Sequence, residues 1–160
     1  MVLQWALWGE VMNEEPQCKV LPDGTKEWRL NGERHRTDEP AHEGASGTKE
    51  WWLNGELHRS DGPAYEGADG TKEWWVNGKR HRTDGPALEC AKGTKEWWVN
   101  GKRHRSDGPA VERPDGNREW YVNGQYFGSN DRGFWARWEL LLPEERSDWK
   151  LLQWAPWVKS

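Results

Sequence analysis

Cysteine and apolar residues are both scarce in this chain. Only Cys18 and Cys90 occur, at non-equivalent places, so no disulfide framework is implied and both read as free thiols in a reducing compartment. Hydrophobic residues make up only 34% of the 160, and no run approaches the ~18–20 apolar residues that a membrane-spanning helix needs. A strong charge of one sign is lacking too. The net charge of −4 offers no general attraction to nucleic acid or anionic lipid, so nucleic acid is disfavoured as a partner. The opening Met1-Val2-Leu3-Gln4-Trp5-Ala6-Leu7-Trp8 has no basic segment before its apolar residues, so no secretory signal is expected and the default location is cytoplasmic.

With 31% charged residues, so little apolar surface would by itself suggest disorder. Fifteen tryptophans oppose that. Each buried aromatic removes roughly 150–250 Å² from water, so a few tryptophan columns can replace a broad aliphatic core. The rings are also ordered along the chain: Trp28, Trp51, Trp74, Trp97 and Trp120 recur with a period of 23 residues. A fixed period of this size marks a repeat architecture in which each unit packs mainly on its neighbours. The expected division is an N-terminal cap segment (1–20), five β-repeats (21–128) and a C-terminal cap (129–160).

Turn chemistry sets the shape of one repeat. Asn-Gly occurs at Asn31-Gly32, Asn54-Gly55, Asn77-Gly78, Asn100-Gly101 and Asn123-Gly124, between aromatic and β-branched residues. This is the strongest local hairpin signal, because a type I′ turn requires positive φ at both central residues. A second turn is expected at Asp61-Gly62-Pro63, Asp84-Gly85-Pro86 and Asp107-Gly108-Pro109, and a third ahead of each Trp strand, as at Asp69-Gly70-Thr71. A two-residue turn also sets register. Val76 then faces Lys79, Trp75 faces Arg80, Trp74 faces His81 and Glu73 faces Arg82, with Glu50–Arg59 and Glu96–Arg105 as the matching outer pairs. In the first copy Arg29 falls opposite Arg34, a like-charge pair.

Alternation along the strand places Trp74, Val76 and His81 on one face and Glu73, Trp75, Arg80 and Arg82 on the other. The fold expected is an elongated all-β repeat, an antiparallel hairpin meander. The alternative is a parallel β-solenoid with one 23-residue coil per repeat, which would stack Glu on Glu and Lys on Lys at ~4.8 Å, whereas the antiparallel arrangement alternates charge sign.

The string Glu-Trp-Trp-Val-Asn-Gly-Lys-Arg-His, at Glu73–His81, resembles the core of a MORN repeat in its Trp, its Asn-Gly-Lys turn and its following His. More closely, Trp-x-x-Asn-Gly-x-x-His-Arg-x-Asp-Gly-Pro-Ala resembles a MORN-like repeat of viral, phage and microbial proteins. It covers roughly Leu21–Phe127. The resemblance implies a twisted antiparallel meander that serves as an interaction scaffold with no chemistry of its own.

Past Phe127 the period stops. Phe134, Trp135, Trp138, Leu141 and Leu142 have amphipathic helical spacing, and Pro143-Glu144-Glu145 reads as a second helix start, so a short C-terminal α-helical cap is expected. Leu3-Gln4-Trp5-Ala6-Leu7-Trp8 nearly matches Leu152-Gln153-Trp154-Ala155-Pro156-Trp157, which suggests that the Trp-rich ends dock with each other, within one chain or in a homodimer.

The candidate residues fall into two columns. Trp28, Trp51, Trp74, Trp97 and Trp120, with His35, His58, His81 and His104, form a structural inner column. Successive histidines should lie about 9–10 Å apart, too far to share an ion bound at ~2 Å, so neither a metal nor any cofactor is expected. His58-Arg59-Ser60-Asp61 superficially resembles triad material, but Thr37 and Thr83 stand at the serine position in other copies, and no catalytic residue or enzyme activity is expected. The outer face carries the candidate binding row: Trp52, Trp75, Trp98 and Tyr121, with Arg80 and Arg103. The function expected is a non-enzymatic scaffold that binds a protein partner or itself. The alternative is a ligand-binding module in which the outer rings stack carbohydrate or single-stranded nucleic acid.

Overall fold

A computed structural model describes residues 15–129, and among these residues the chain is entirely strand and turn. Twelve of the strands join in one open sheet, and three further hairpins branch from it. Every pairing is antiparallel, so the parallel solenoid is set aside.

The five Asn-Gly turns adopt the type I′ geometry that their sequence requires, with Asn φ of 48–51° and positive φ at each following Gly. Each closes a short hairpin, such as Trp75–Val76 with Lys79–Arg80, in the register expected from the turn: Trp75 opposite Arg80 and Val76 opposite Lys79. The turn ahead of each Trp strand is a three-residue loop with its Gly at φ near +90°. At the first of these, Gly24 N–H donates to Leu21 O and Leu21 N–H to Thr25 O.

The first Trp of each unit is a branch point. Ahead of it, Lys72–Glu73 pairs on one side with Tyr65–Glu66 and on the other with Leu88–Glu89. At the Trp, the N–H donates to the alanine of the same unit (Trp74 N–H to Ala87 O, 2.8 Å) and the carbonyl accepts from the histidine (His81 N–H, 3.0 Å). Beyond it, successive hairpins bond to each other: Gly78 N–H donates to Leu57 O and Arg82 N–H to Trp98 O, each at 3.0 Å. The chain is therefore paired on both sides in every middle repeat.

The register makes a charge ladder on one face. Lys26, Glu43, Lys49, Glu66, Lys72, Glu89, Lys95, Glu112 and Arg118 are successive cross-strand partners, alternating in sign at each step. Opposite charges directly across strands contribute about 0.2–1 kcal/mol each, and a one-residue slip would forfeit all of them. The sheet starts earlier than the repeat period suggests. Gln17–Val20 falls in the expected cap segment but is the first strand, pairing Lys19 with Glu27 and Val20 with Lys26 as His42 pairs with Glu50 and Glu43 with Lys49. The expected helical cap lies outside the described residues, except for Ser129.

A single layer has no enclosed interior. Among the described residues, the fully buried apolar positions are the branch-point alanines Ala41, Ala64, Ala87 and Ala110 together with Val111. In the Trp column, Trp51 and Trp120 are buried, while Trp28, Trp74 and Trp97 are half-buried. The second tryptophans, Trp52, Trp75 and Trp98, are half-buried as well, so the two faces are less unequal than an inside and an outside.

Candidate functional site

Both faces carry a row of aromatic rings with guanidinium groups against them, and the partners differ from face to face. On the expected outer face, Arg80 lies over Trp75 at 5.1 Å and Trp98 at 5.5 Å, and Arg103 lies over Trp98 at 5.2 Å and Tyr121 at 5.3 Å. Arg34 lies over Trp52 at 5.2 Å, and Tyr126 closes the row against Tyr121 at 5.2 Å. The aromatic and cationic groups thus alternate through the last three repeats, a cation–π arrangement continuous across repeat boundaries.

Glutamates two residues before each ring complete this row. The indole N–H of Trp52, Trp75 and Trp98 donates to Glu50, Glu73 and Glu96, each at 2.8 Å, and the Tyr121 hydroxyl donates to Glu119 at 3.1 Å. The same carboxylates hold the guanidiniums: Arg80–Glu73 at 2.9 Å, Arg103–Glu96 at 3.1 Å and Arg34–Glu50 at 3.1 Å. These replace the expected Glu73–Arg82, Glu96–Arg105 and Glu50–Arg59 pairs. The cause is the branch point: the return strand leaves its own partner after two residues, and the Arg82 N–H bonds the next unit at Trp98 O instead.

The first repeat shows how the unfavourable Arg29–Arg34 register is tolerated. Buried Glu27 sits between them, accepting from Arg34 at 2.5 Å and from Arg29 at 3.1 Å. The Arg34 hydrogen bond chiefly, opposed by burial and helped by Arg29, lowers the Glu27 pKa to about 2. At the other end, burial disfavours ionisation of Glu119, but hydrogen bonds from Arg113 and Tyr121 outweigh it and the net shift is downward. Burial, followed by the bond to Glu119, raises the pKa of Tyr121.

On the opposite face, Arg36, Arg59, Arg82 and Arg105 lie over Trp28, Trp51, Trp74 and Trp97 at 3.9–4.1 Å. Arg59, Arg82 and Arg105 therefore leave the outer row to which alternation assigned them. Their guanidiniums are cradled by the Asp-Gly-Pro segment: Arg82 donates to Asp84 at 2.9 Å, to Pro86 O at 3.2 Å and to Glu89 at 3.2 Å. The glycine leaves room for this contact, since a Cβ on Gly85 would lie 3.0 Å from Arg82 Cζ, and its φ is not positive. In the first copy Glu39 stands in place of that glycine, and Arg36 donates to its carboxylate instead. Arg59 and Arg82, by hydrogen bond first and charge second, lower the pKa of Asp61 and Asp84.

Between successive units on this second face lie open clefts. One of about 510 Å³ separates Arg82–Pro86 from Trp97, Val99 and the His104–Asp107 segment, and an equivalent one of about 350 Å³ lies a repeat pair earlier, against Trp51, Leu53 and His58. Ser60 and Asp61 line the second, yet His58, Ser60 and Asp61 do not form a relay: Asp61 accepts from Arg59 at 2.9 Å, and His58 Nδ1 is engaged with Asn77.

The histidine column has a role that the sequence reading missed. His35, His58, His81 and His104 each reach the Asn-Gly turn of the following repeat. Nδ1 lies 2.8–3.0 Å from the side-chain amide oxygen of Asn54, Asn77, Asn100 and Asn123, to which it donates when it carries the ring proton, and 3.1–3.3 Å from the same residue's backbone N, whose N–H it accepts when it does not. The signal available in the sequence was the joint recurrence of His and Asn at a fixed offset in successive units. Among the described residues no group of three or more His, Cys, Asp or Glu is arranged to hold a metal ion, and no helix is long and apolar enough to cross a membrane.

No protein-family model and no curated protein matches this chain.

Proposed function

We propose that this chain is a non-enzymatic β-repeat scaffold whose rigid face is recognised by a protein partner. One observation supports this reading above the others: the side chains that look like recognition groups are spent on joining repeats. Arg80 and Arg103 lie between the rings that would otherwise stack a ligand. His35, His58, His81 and His104 each clamp the next turn. Groups already satisfied within the lattice bring shape and stiffness, which is what a presenting surface requires. The test is a titration of intrinsic Trp fluorescence with a panel of glycans and single-stranded oligonucleotides. The scaffold reading expects a flat response in wild type; saturable quenching that vanishes in Trp75→Ala or Trp98→Ala would overturn it.

The clefts favour a second reading, a carbohydrate-binding module that uses the opposite face from the outer row. One cleft is lined by Trp97, Ser106 and Asp107, with Arg105 over Trp97 at 3.9 Å and donating to Asp107 at 2.8 Å; the ring, the hydroxyl and the carboxylate are the groups a sugar would use there. In that case the fluorescence response is lost in Trp97→Ala and kept in Trp75→Ala.

A further inference from the structure

We infer that Asn31-Gly32 is a selective site of spontaneous modification, deamidation through a succinimide, and that the same reaction is suppressed at the four other Asn-Gly turns by the repeat lattice. The chemistry needs no cofactor. The backbone nitrogen of Gly32, on losing its proton, attacks the side-chain carbonyl carbon of Asn31; a C–N bond forms and the side-chain nitrogen leaves as ammonia. Water then opens the five-membered imide at either carbonyl, leaving aspartate or isoaspartate at position 31. Two groups must be free for this: the glycine N–H and the asparagine amide.

Four turns withhold both. Gly55, Gly78, Gly101 and Gly124 donate their N–H to Arg34, Leu57, Arg80 and Arg103 of the preceding hairpin at 2.9–3.0 Å. The amides of Asn54, Asn77, Asn100 and Asn123 are held by the preceding histidine. Side chains of the preceding hairpin also cover these glycines: a Cβ on Gly55 would lie 3.3 Å from Glu33 and one on Gly101 3.6 Å from Lys79. Asn31-Gly32 belongs to the first hairpin, and no described hairpin precedes it. Among the described residues nothing holds its amide or its glycine N–H, and a Cβ on Gly32 would meet nothing within 4 Å. Its one bond is on the far side of the reaction, from Arg29 to Gly32 O at 2.9 Å. Backbone angles do not distinguish the sites, since Asn φ is 51° at position 31 and 50° at position 54.

The chain supplies its own control. Leu30-Asn31-Gly32-Glu33 and Leu53-Asn54-Gly55-Glu56 are the same tetrapeptide, so local sequence predicts equal rates and any difference comes from tertiary structure. Opening the Asn54 turn breaks two inter-repeat hydrogen bonds that the Asn31 turn lacks, which corresponds to about a tenfold rate difference. The product carries consequences for the first repeat alone. Isoaspartate lengthens the backbone inside a two-residue turn, so the Leu30–Glu33 register is lost there, and one negative charge is added to a chain of net charge −4.

The experiment is incubation of the folded full-length chain in mildly alkaline buffer, with site-resolved peptide mapping for deamidated and isoaspartyl forms. Asn31 is expected to react about tenfold faster than Asn54 in the folded chain, and at the same rate in denaturant. The variant His35→Ala removes one tether from Asn54 and is expected to raise its rate several-fold while Asn77 and Asn100 stay slow. Equal rates at Asn31 and Asn54 in the folded chain would overturn the inference, as would an Asn54 rate unmoved by His35→Ala. Should that variant unfold, all five sites accelerate together, and the wild-type comparison decides.

Discussion

Substituting Glu27→Gln should flatten the acid limb of this protein's stability curve. Glu27 bridges Arg29 and Arg34, which the register places opposite each other, and its side chain is only 11% exposed. Its pKa falls from 4.5 to about 2 on folding. At 1.36 kcal/mol per unit, that shift corresponds to about 3 kcal/mol, a sizeable share of the ~5–15 kcal/mol that stabilises a whole domain. The sign follows from the direction. A carboxylate with a depressed folded pKa contributes its full stabilisation above the unfolded value of 4.5 and loses it as pH falls toward about 2. Urea unfolding followed by Trp fluorescence at stepped pH measures this directly. Wild type should lose about 3 kcal/mol more than Glu27→Gln between neutral pH and the folded pKa. Parallel curves for the two proteins would refute the reasoning, because the other lowered carboxylates, Asp61, Asp84 and Glu119 among them, are common to both.

Three further outcomes are expected. Trp51→Ala removes a ring that is only 8% exposed and should cost about 3–5 kcal/mol in thermal or urea unfolding, with Trp52→Ala costing less because its ring is half-buried. Gly85→Ala crowds the Arg82 guanidinium and should destabilise by about 1 kcal/mol, and the change should shrink when Arg82 is already alanine, a coupling that a double-mutant cycle reads. Lys72→Glu places like charges beside Glu66 and Glu89 and should lower the melting temperature, with partial recovery at high salt; an unchanged melt would remove the charge ladder as a register device.

The hairpin unit was legible in the residues because its causes are local. Asn-Gly dictates the type I′ turn within two residues, the turn dictates that Trp75 meets Arg80, and the alternation of Lys and Glu follows from antiparallel pairing of equivalent strands. That Trp52, Trp75, Trp98 and Tyr121 share one face was recoverable on the same grounds. Contacts between units were not. His35 meets Asn54 across 19 residues, Arg80 lies between Trp75 and Trp98, and Arg82 folds back onto Trp74. Each depends on the branch at the first Trp and on how far one hairpin is offset from the next. Alternation of side chains says nothing about either, since it holds only while a strand stays on its own partner. The glycine of Asp-Gly-Pro shows the same division. By sequence it reads as a turn residue, but its φ is not positive, and what it provides is room for the guanidinium of Arg82; in the first copy Glu39 fills that place and Arg36 still stacks on Trp28. Turn type and register are settled by the few residues that make them; which charge neutralises which, and which ring face stays open, is decided only when neighbouring repeats come together.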